Sequence, residues 1–184
     1  MIIDDQWSIW ARASSAQLQH DYQTRIYLVG AGGTGKTTLL GLYVAETQTA
    51  VHKIDEVARP LMIELGVGQG DLSDNNLFWN LQTKIANRQM NEERKKKKSN
   101  PNGTTISDRS VIDALVYAML RFPDGLPTSN NASKQLNARQ IVFNGLSLLM
   151  GDQALAKEVV DRYRNSLVVL VSPFDDSDAI DDKV

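Results

Sequence analysis

Cysteine is absent from all 184 residues, which excludes disulfides and thiolate metal sites. Histidine is nearly absent. His20 and His52 stand far apart in the sequence and read as structural or surface residues, not as a metal cluster. No apolar run approaches the ~20 residues that a membrane-spanning helix requires, so no membrane span is expected. An excess of charge of one sign is also lacking. The net charge of -2 creates no global field toward nucleic acid or an anionic membrane, and neither is an expected partner. The opening "MIIDDQWSIW" has no basic start before an apolar core, so it is not a secretory signal. With these classes set aside, the chain is expected to be cytoplasmic.

What is present is an alternation of short apolar strands with longer helical stretches. Strands are predicted at Arg25 to Val29, Val51 to Ile54, Thr104 to Ser107 and Leu167 to Val171. Helices are predicted at Gly35 to about Thr47, Val57 to Leu65, Asp74 to Lys98, Val111 to Leu120, 132 to 149 and 152 to 164. This order predicts an α/β fold, a doubly wound parallel sheet with helices on both faces. In the first of these helices Leu39, Leu42 and Tyr43 fall on one face. In the long one, Glu92 with Lys96 and Glu93 with Lys97 are four apart, the favourable order for ion pairs. The "RKKKK" run at 94–98 reads as a solvated helix end, with lysines at the negative pole of the helix. Residues 1–24 form a separate N-terminal segment. Ile3, Trp7 and Trp10 share one helical face there, expected to pack on a core domain spanning 25–184.

The most specific signal is "GAGGTGKTT". Gly30, four residues, then Gly35, Lys36 and Thr37 satisfy the phosphate-loop pattern, with a strand before and a helix after. The chemistry requires those residue types. A phosphate chain is bulky and anionic, and side chains would obstruct a loop curling round it, hence Gly30, Gly32, Gly33 and Gly35. The amides of the loop, including those of Thr34 and Thr38, then point at phosphate oxygens, and the helix adds its positive end. Lys36 is expected to reach the β- and γ-phosphates, and Thr37 to offer its hydroxyl to Mg²⁺. The chain is therefore expected to bind a nucleoside triphosphate, ATP or GTP.

A carboxylate near the magnesium is needed at the end of a neighbouring strand. Asp108 in "TTISDRS" is preferred over Asp175 in "SPFDD", although Asp108 is also a candidate N-cap. Arg109 after it is expected in the first helical turn, a place unfavourable for a cation unless it is used on a transferring phosphoryl group. "HKIDEVARP" brings Glu56 and Arg59 to the same rim, three apart and so on one helical face. A carboxylate there can take a proton from an acceptor hydroxyl. An ordinary surface ion pair is the competing reading.

"GAGGTGKTT", "DEVARP" and "SDRSVIDALVYA" together resemble the small P-loop AAA-domain group that includes nicotinamide-riboside kinase domains of the NadR type and Ttd14-type proteins. A more distant likeness is to deoxynucleoside and thymidylate kinases. The resemblance covers about residues 25–120 and, weakly, 166–184. It implies that Lys36 and Thr37 hold phosphate and metal, that Glu56 and Arg59 match an E-x-x-R motif facing the acceptor, and that Asp108 and Arg109 match a D-R pair. It implies a small-molecule kinase acting on a nucleoside- or nucleotide-like acceptor with Mg²⁺. Such kinases continue into an arginine-bearing lid and a further strand. Only residues 172–184 follow the strand at Leu167, so lid and last strand are expected to be missing. That departure keeps open a nucleotide-dependent switch or regulatory module with little acceptor phosphorylation. An ordinary GTPase is disfavoured by the lack of an N-K-x-D stretch.

Overall fold

The computed structural model describes residues 25–47, 51–122 and 138–171. The expected N-terminal helix, the loop following residue 122 and the tail carrying Asp175 lie outside these residues. The elements run β1 (Arg25–Val29), α1 (Lys36–Glu46), β2 (Val51–Ile54), α2 (Ala58–Leu65), a single 3₁₀ turn (Gly70–Ser73), α3 (Asn75–Ser99), β3 (Thr104–Asp108), α4 (Val111–Arg121), α5 (Ala138–Met150), α6 (Gln153–Arg164) and β4 (Leu167–Leu170). The strands form one sheet in the order β2-β3-β1-β4, and every pairing is parallel. The predicted α/β fold is the one observed. Parallel neighbours require crossovers, and the helices supply them on both faces of the sheet.

The pleat of β1 sorts its side chains between two environments. Ile26 and Leu28 turn one way and join Leu40 of α1 and Ile106 of β3 in a core. Leu40 is wholly buried, which is worth roughly 1.5–3 kcal/mol for such a side chain. The apolar face read for α1 is mostly exposed. Leu42 is 58% exposed and Tyr43 37%, while Leu40 is buried and Leu39 and Val44 pack partly against that core.

Tyr27 turns the other way and stacks on Tyr163 of α6, ring centroids 4.3 Å apart. Beyond it lies the larger core, built from α3 to α6 and including Met90, Val111, Leu115, Leu146, Leu149 and Val159. Between sheet and helices sits a buried polar layer. The Tyr27 hydroxyl donates to Glu93 Oε2 at 2.9 Å, and Arg162 pairs closely with the same carboxylate. Gln89 Nε2 donates to Glu93 Oε1 at 3.0 Å and to Ser107 Oγ at 2.9 Å. Glu93 therefore does not pair with Lys97 on the helix surface; it points inward. Glu92 pairs with Lys95 at 2.8 Å, one residue short of the expected partner.

Helix boundaries follow local chemistry. Asp74 caps α3 by accepting from the Asn76 and Leu77 amides, and Asp152 caps α6 in the same way through Ala154 and Leu155. Gly151, at φ 67, makes the break between α5 and α6. Among the described residues no helix is long and apolar enough to cross a membrane.

Candidate functional site

The parallel arrangement brings the C-terminal ends of β1 and β3 side by side, with Leu28 in register with Asp108. The loop leaving β1 and the loop leaving β3 therefore share one rim. Gly30, with φ 142, sits where a Cβ would come within 2.3 Å of the Val171 carbonyl oxygen just past β4, so no other residue fits between the ends of β1 and β4. Gly35 takes φ 82 as the N-cap of α1 and brings no capping side chain. At α3, α4 and α6 a side chain accepts from the first-turn amides. At α1 none does, which leaves that positive helix end free to receive an anion. A Cβ at Gly32 would meet nothing within 4 Å, so its bareness serves the open face of the loop and not its packing.

Lys36 is almost wholly buried. Its ammonium donates to the Gly30 carbonyl at 2.9 Å, to the Ala31 carbonyl at close range, and to Thr34 Oγ1 at 3.1 Å. Burial, and then the nearby Arg109 cation, hold its pKa below the ordinary lysine value of 10.5. Thr37 and Thr38 occupy the first turn of α1, and the Thr37 hydroxyl donates to Asp108 Oδ2 at 2.5 Å.

Asp108 can face Thr37 because it does not cap a helix. Ser110 is the N-cap of α4, and with Asp113 it forms a reciprocal capping box. The N-cap reading of Asp108 is thus corrected. So is the position of Arg109, which lies before the cap and not in the first helical turn. Arg109 is the one non-glycine with positive φ among the described residues, at 100°. Such a conformation costs about 1–3 kcal/mol and persists only where the surroundings fix it. Its N–H donates to the Leu28 carbonyl at 3.1 Å, and its carbonyl accepts from Gln89 Nε2 at 3.4 Å.

That strained backbone throws the Arg109 side chain over the loop. Its Nη1 donates to the Gly30 carbonyl at 2.8 Å and to the Tyr117 hydroxyl at 3.3 Å. Asp113 lies 3.5 Å and Glu56 3.9 Å from the guanidinium. Burial works against the charge, but Tyr117, Asp113 and Glu56 outweigh it and raise the pKa above the ordinary arginine value. Glu56 is three-quarters buried in its side chain, whereas Arg59, 3.8 Å away on its far side, is 81% exposed. Glu56 therefore pairs with both cations, Arg109 on the loop side and the exposed Arg59 three residues along.

Next to the loop, between α2, α3 and α4, lies a cavity of about 190 Å³. Glu56, Arg109 and Asp113 line one end, Phe78 and Gln82 contribute from α3, and Tyr117 from α4. Arg59 does not line it. Asp113 and Tyr117 were not singled out by the sequence, although Ser110-x-x-Asp113 was readable as a capping box. Gln82, Gln89 and Phe78 carried no motif at all.

Among the described residues no group of three or more His, Asp or Glu side chains gathers as a metal site. Magnesium at a phosphate loop does not require one, since it takes one or two protein oxygens plus phosphates and water. The adjacent Thr37 hydroxyl and Asp108 carboxylate are hard oxygen donors and fit such an ion.

A parallel sheet bearing this loop on its rim, with an uncapped helix behind it, defines a P-loop nucleotide-binding protein of the NTPase fold. The family model described as AAA domain matches residues 25–182, and the chain belongs to that AAA-domain family. Compared with curated proteins, the chain gives no significant match.

Proposed function

We propose that the chain is a small-molecule kinase, moving the γ-phosphoryl group of ATP, or of GTP, to a hydroxyl of a nucleoside-like acceptor. One observation carries this reading: Glu56 and Arg109 line a cavity beside the phosphate loop, and the Arg109 guanidinium also reaches the Gly30 carbonyl of that loop. A protein that only hydrolyses or senses nucleotide has no need of a lined acceptor pocket there.

In this reading the loop amides and Lys36 hold the triphosphate tail. Thr37 and Asp108 would hold Mg²⁺, which supplies charge neutralisation on the phosphates. Glu56 accepts the acceptor's hydroxyl proton as its oxygen bonds to the γ-phosphorus, and the bond to the β–γ bridging oxygen breaks, releasing the diphosphate. Arg109 swings from the Gly30 carbonyl onto the transferring group and offsets its charge. Arg59 meets only the outer part of an acceptor.

Incubation of the protein with ATP, Mg²⁺ and a panel of nucleosides, followed by mass spectrometry, tests the reading. A phosphorylated nucleoside is the expected product. Diphosphate release with no phosphorylated acceptor, together with partner binding that depends on nucleotide, would instead favour a switch-like ATPase or GTPase.

A further inference from the structure

β4 is the outer strand of the sheet and pairs only with β1 among the described residues. Its register places Val168 beside Tyr27 and Leu170 beside Val29. The pleat therefore turns Val168 and Leu170 toward the Tyr27 side of the sheet, while Val169 and Val171 pack with Ile26 and Leu28 on the other. On α4, Ile112, Val116 and Leu120 recur every four residues and form one stripe. This stripe and the two strand residues wall a groove of about 470 Å³, which Gly30 and Ala31 also line. Its walls are open to solvent: Leu120 is 73% and Leu170 74% exposed. A contiguous apolar patch of this kind marks an interaction site.

The sequence supplies an occupant. Residues 1–24 precede β1 and hold two of the three tryptophans, Trp7 and Trp10. The spacing of Ile3, Trp7 and Trp10 puts them on one helical face, a stripe about 10 Å long against about 12 Å from Ile112 to Leu120. The other long stretches outside the described residues fit less well. Residues 123–137 are mainly polar, and 172–184 carry five aspartates, which an apolar groove disfavours. Reach permits the docking. Arg25 opens the strand next to β4, and the roughly 15 residues from Trp10 to Arg25 can span about 50 Å when extended. From Arg25 to Val29, β1 is only about 13 Å long. The tether also decides the competition. A segment on a short flexible linker meets its own groove at about millimolar effective concentration, roughly 1000-fold above a second copy at micromolar.

We infer that residues 1–24 dock on their own core, with Ile3, Trp7 and Trp10 seated in the groove between α4 and β4. Each seated tryptophan removes roughly 150–250 Å² from water. The docked segment flanks the phosphate loop at Gly30 and Ala31. The docking needs no acceptor and is independent of the kinase reading.

The chain has no cysteine, so disulfide trapping on the full chain tests the docking directly. Ala11→Cys keeps both tryptophans and lies four residues from Trp7, on the same face. Paired with Leu120→Cys, it should form an intramolecular disulfide under mild oxidation about 10-fold or more faster than when paired with Ile63→Cys. Ile63 is the control, 77% exposed on α2 near the opposite edge of the sheet. Leu120 and Ile63 both face solvent, so neither substitution threatens the fold. As a second readout, Leu120→Asp should raise acrylamide quenching of tryptophan emission, and Ile63→Asp should leave it unchanged. Equal trapping at the two sites, or unchanged quenching in Leu120→Asp, would overturn the inference. Disulfides formed between chains would also overturn it and assign the groove to a second copy. Tryptophan burial seen only with phosphatidylcholine–phosphatidylserine vesicles would overturn it too and assign the segment to a membrane surface.

Discussion

The Thr37 hydroxyl donates to the Asp108 carboxylate across 71 residues of sequence, at 2.5 Å. This contact joins the loop after β1 to the end of β3 and sets two hard oxygen donors together. Asp108→Asn should keep triphosphate binding in chelator but lose most of the extra affinity that Mg²⁺ confers. Turnover should fall by about 100-fold or more. Calorimetry with and without Mg²⁺, alongside steady-state rates, checks this. An unchanged Mg²⁺ dependence would exclude Asp108 from the metal.

Lys36 is the charge that the loop encloses. Lys36→Ala should weaken triphosphate binding by about 10- to 100-fold, the loss of one charged hydrogen-bonding group. The pH dependence follows from its lowered pKa. A bound phosphate favours the protonated form, so binding takes up a proton wherever the free loop has lost it. Affinity should therefore fall as pH rises, beginning below 10.5, the ordinary lysine value. Lys36→Arg should bind with a flat profile over that range.

Much of the loop was legible because its demands are local. Bare backbone, one lysine and one hydroxyl must follow each other in order, and strand and helix must flank them. The strands were legible too, since short apolar runs between polar breaks have few other uses. Arg109 was misplaced because "SDRSVID" offers two caps, Asp108 and the Ser110-x-x-Asp113 box, and the box was passed over. That choice depends on Asp113 reciprocating and on Thr37 claiming Asp108. Glu93 looked like a surface acid because its partners, Tyr27 and Arg162, lie 66 and 69 residues away. Gln82 gave no signal, since a glutamine on a helix is ordinary until the cavity beside it is seen.

The Glu93–Arg162 pair is buried on both sides, with side-chain exposures of 4% and 7%. Arg162→Met should cost about 3–5 kcal/mol by stranding a carboxylate in the core. The double variant Glu93→Gln with Arg162→Met should recover a substantial part of that loss. Urea unfolding of the wild type, the Glu93→Gln and Arg162→Met single variants and the double variant measures both. Additive losses would show that the two side chains do not act as a unit.

Gln89 is the only side chain among the described residues that donates to the Arg109 carbonyl. Gln89→Leu should release the positive-φ backbone and let the guanidinium drift from the loop. The expected result is a turnover about 10-fold lower, with triphosphate affinity little changed, because the loop amides and Lys36 are untouched. A crystal structure of the variant should show Arg109 at negative φ. Equal loss in affinity and turnover would mean that the substitution damages the fold instead.

Both the Lys36 ammonium and the Arg109 guanidinium rest on a single oxygen, that of Gly30. Two like charges are thereby gathered at one point by a neutral dipole, and each disfavours the other. A polyanion entering the loop gives both a better counter-charge at once, whereas a monoanion satisfies only one. The preference for a multiply charged guest is thus written into how the two cations share their anchorage.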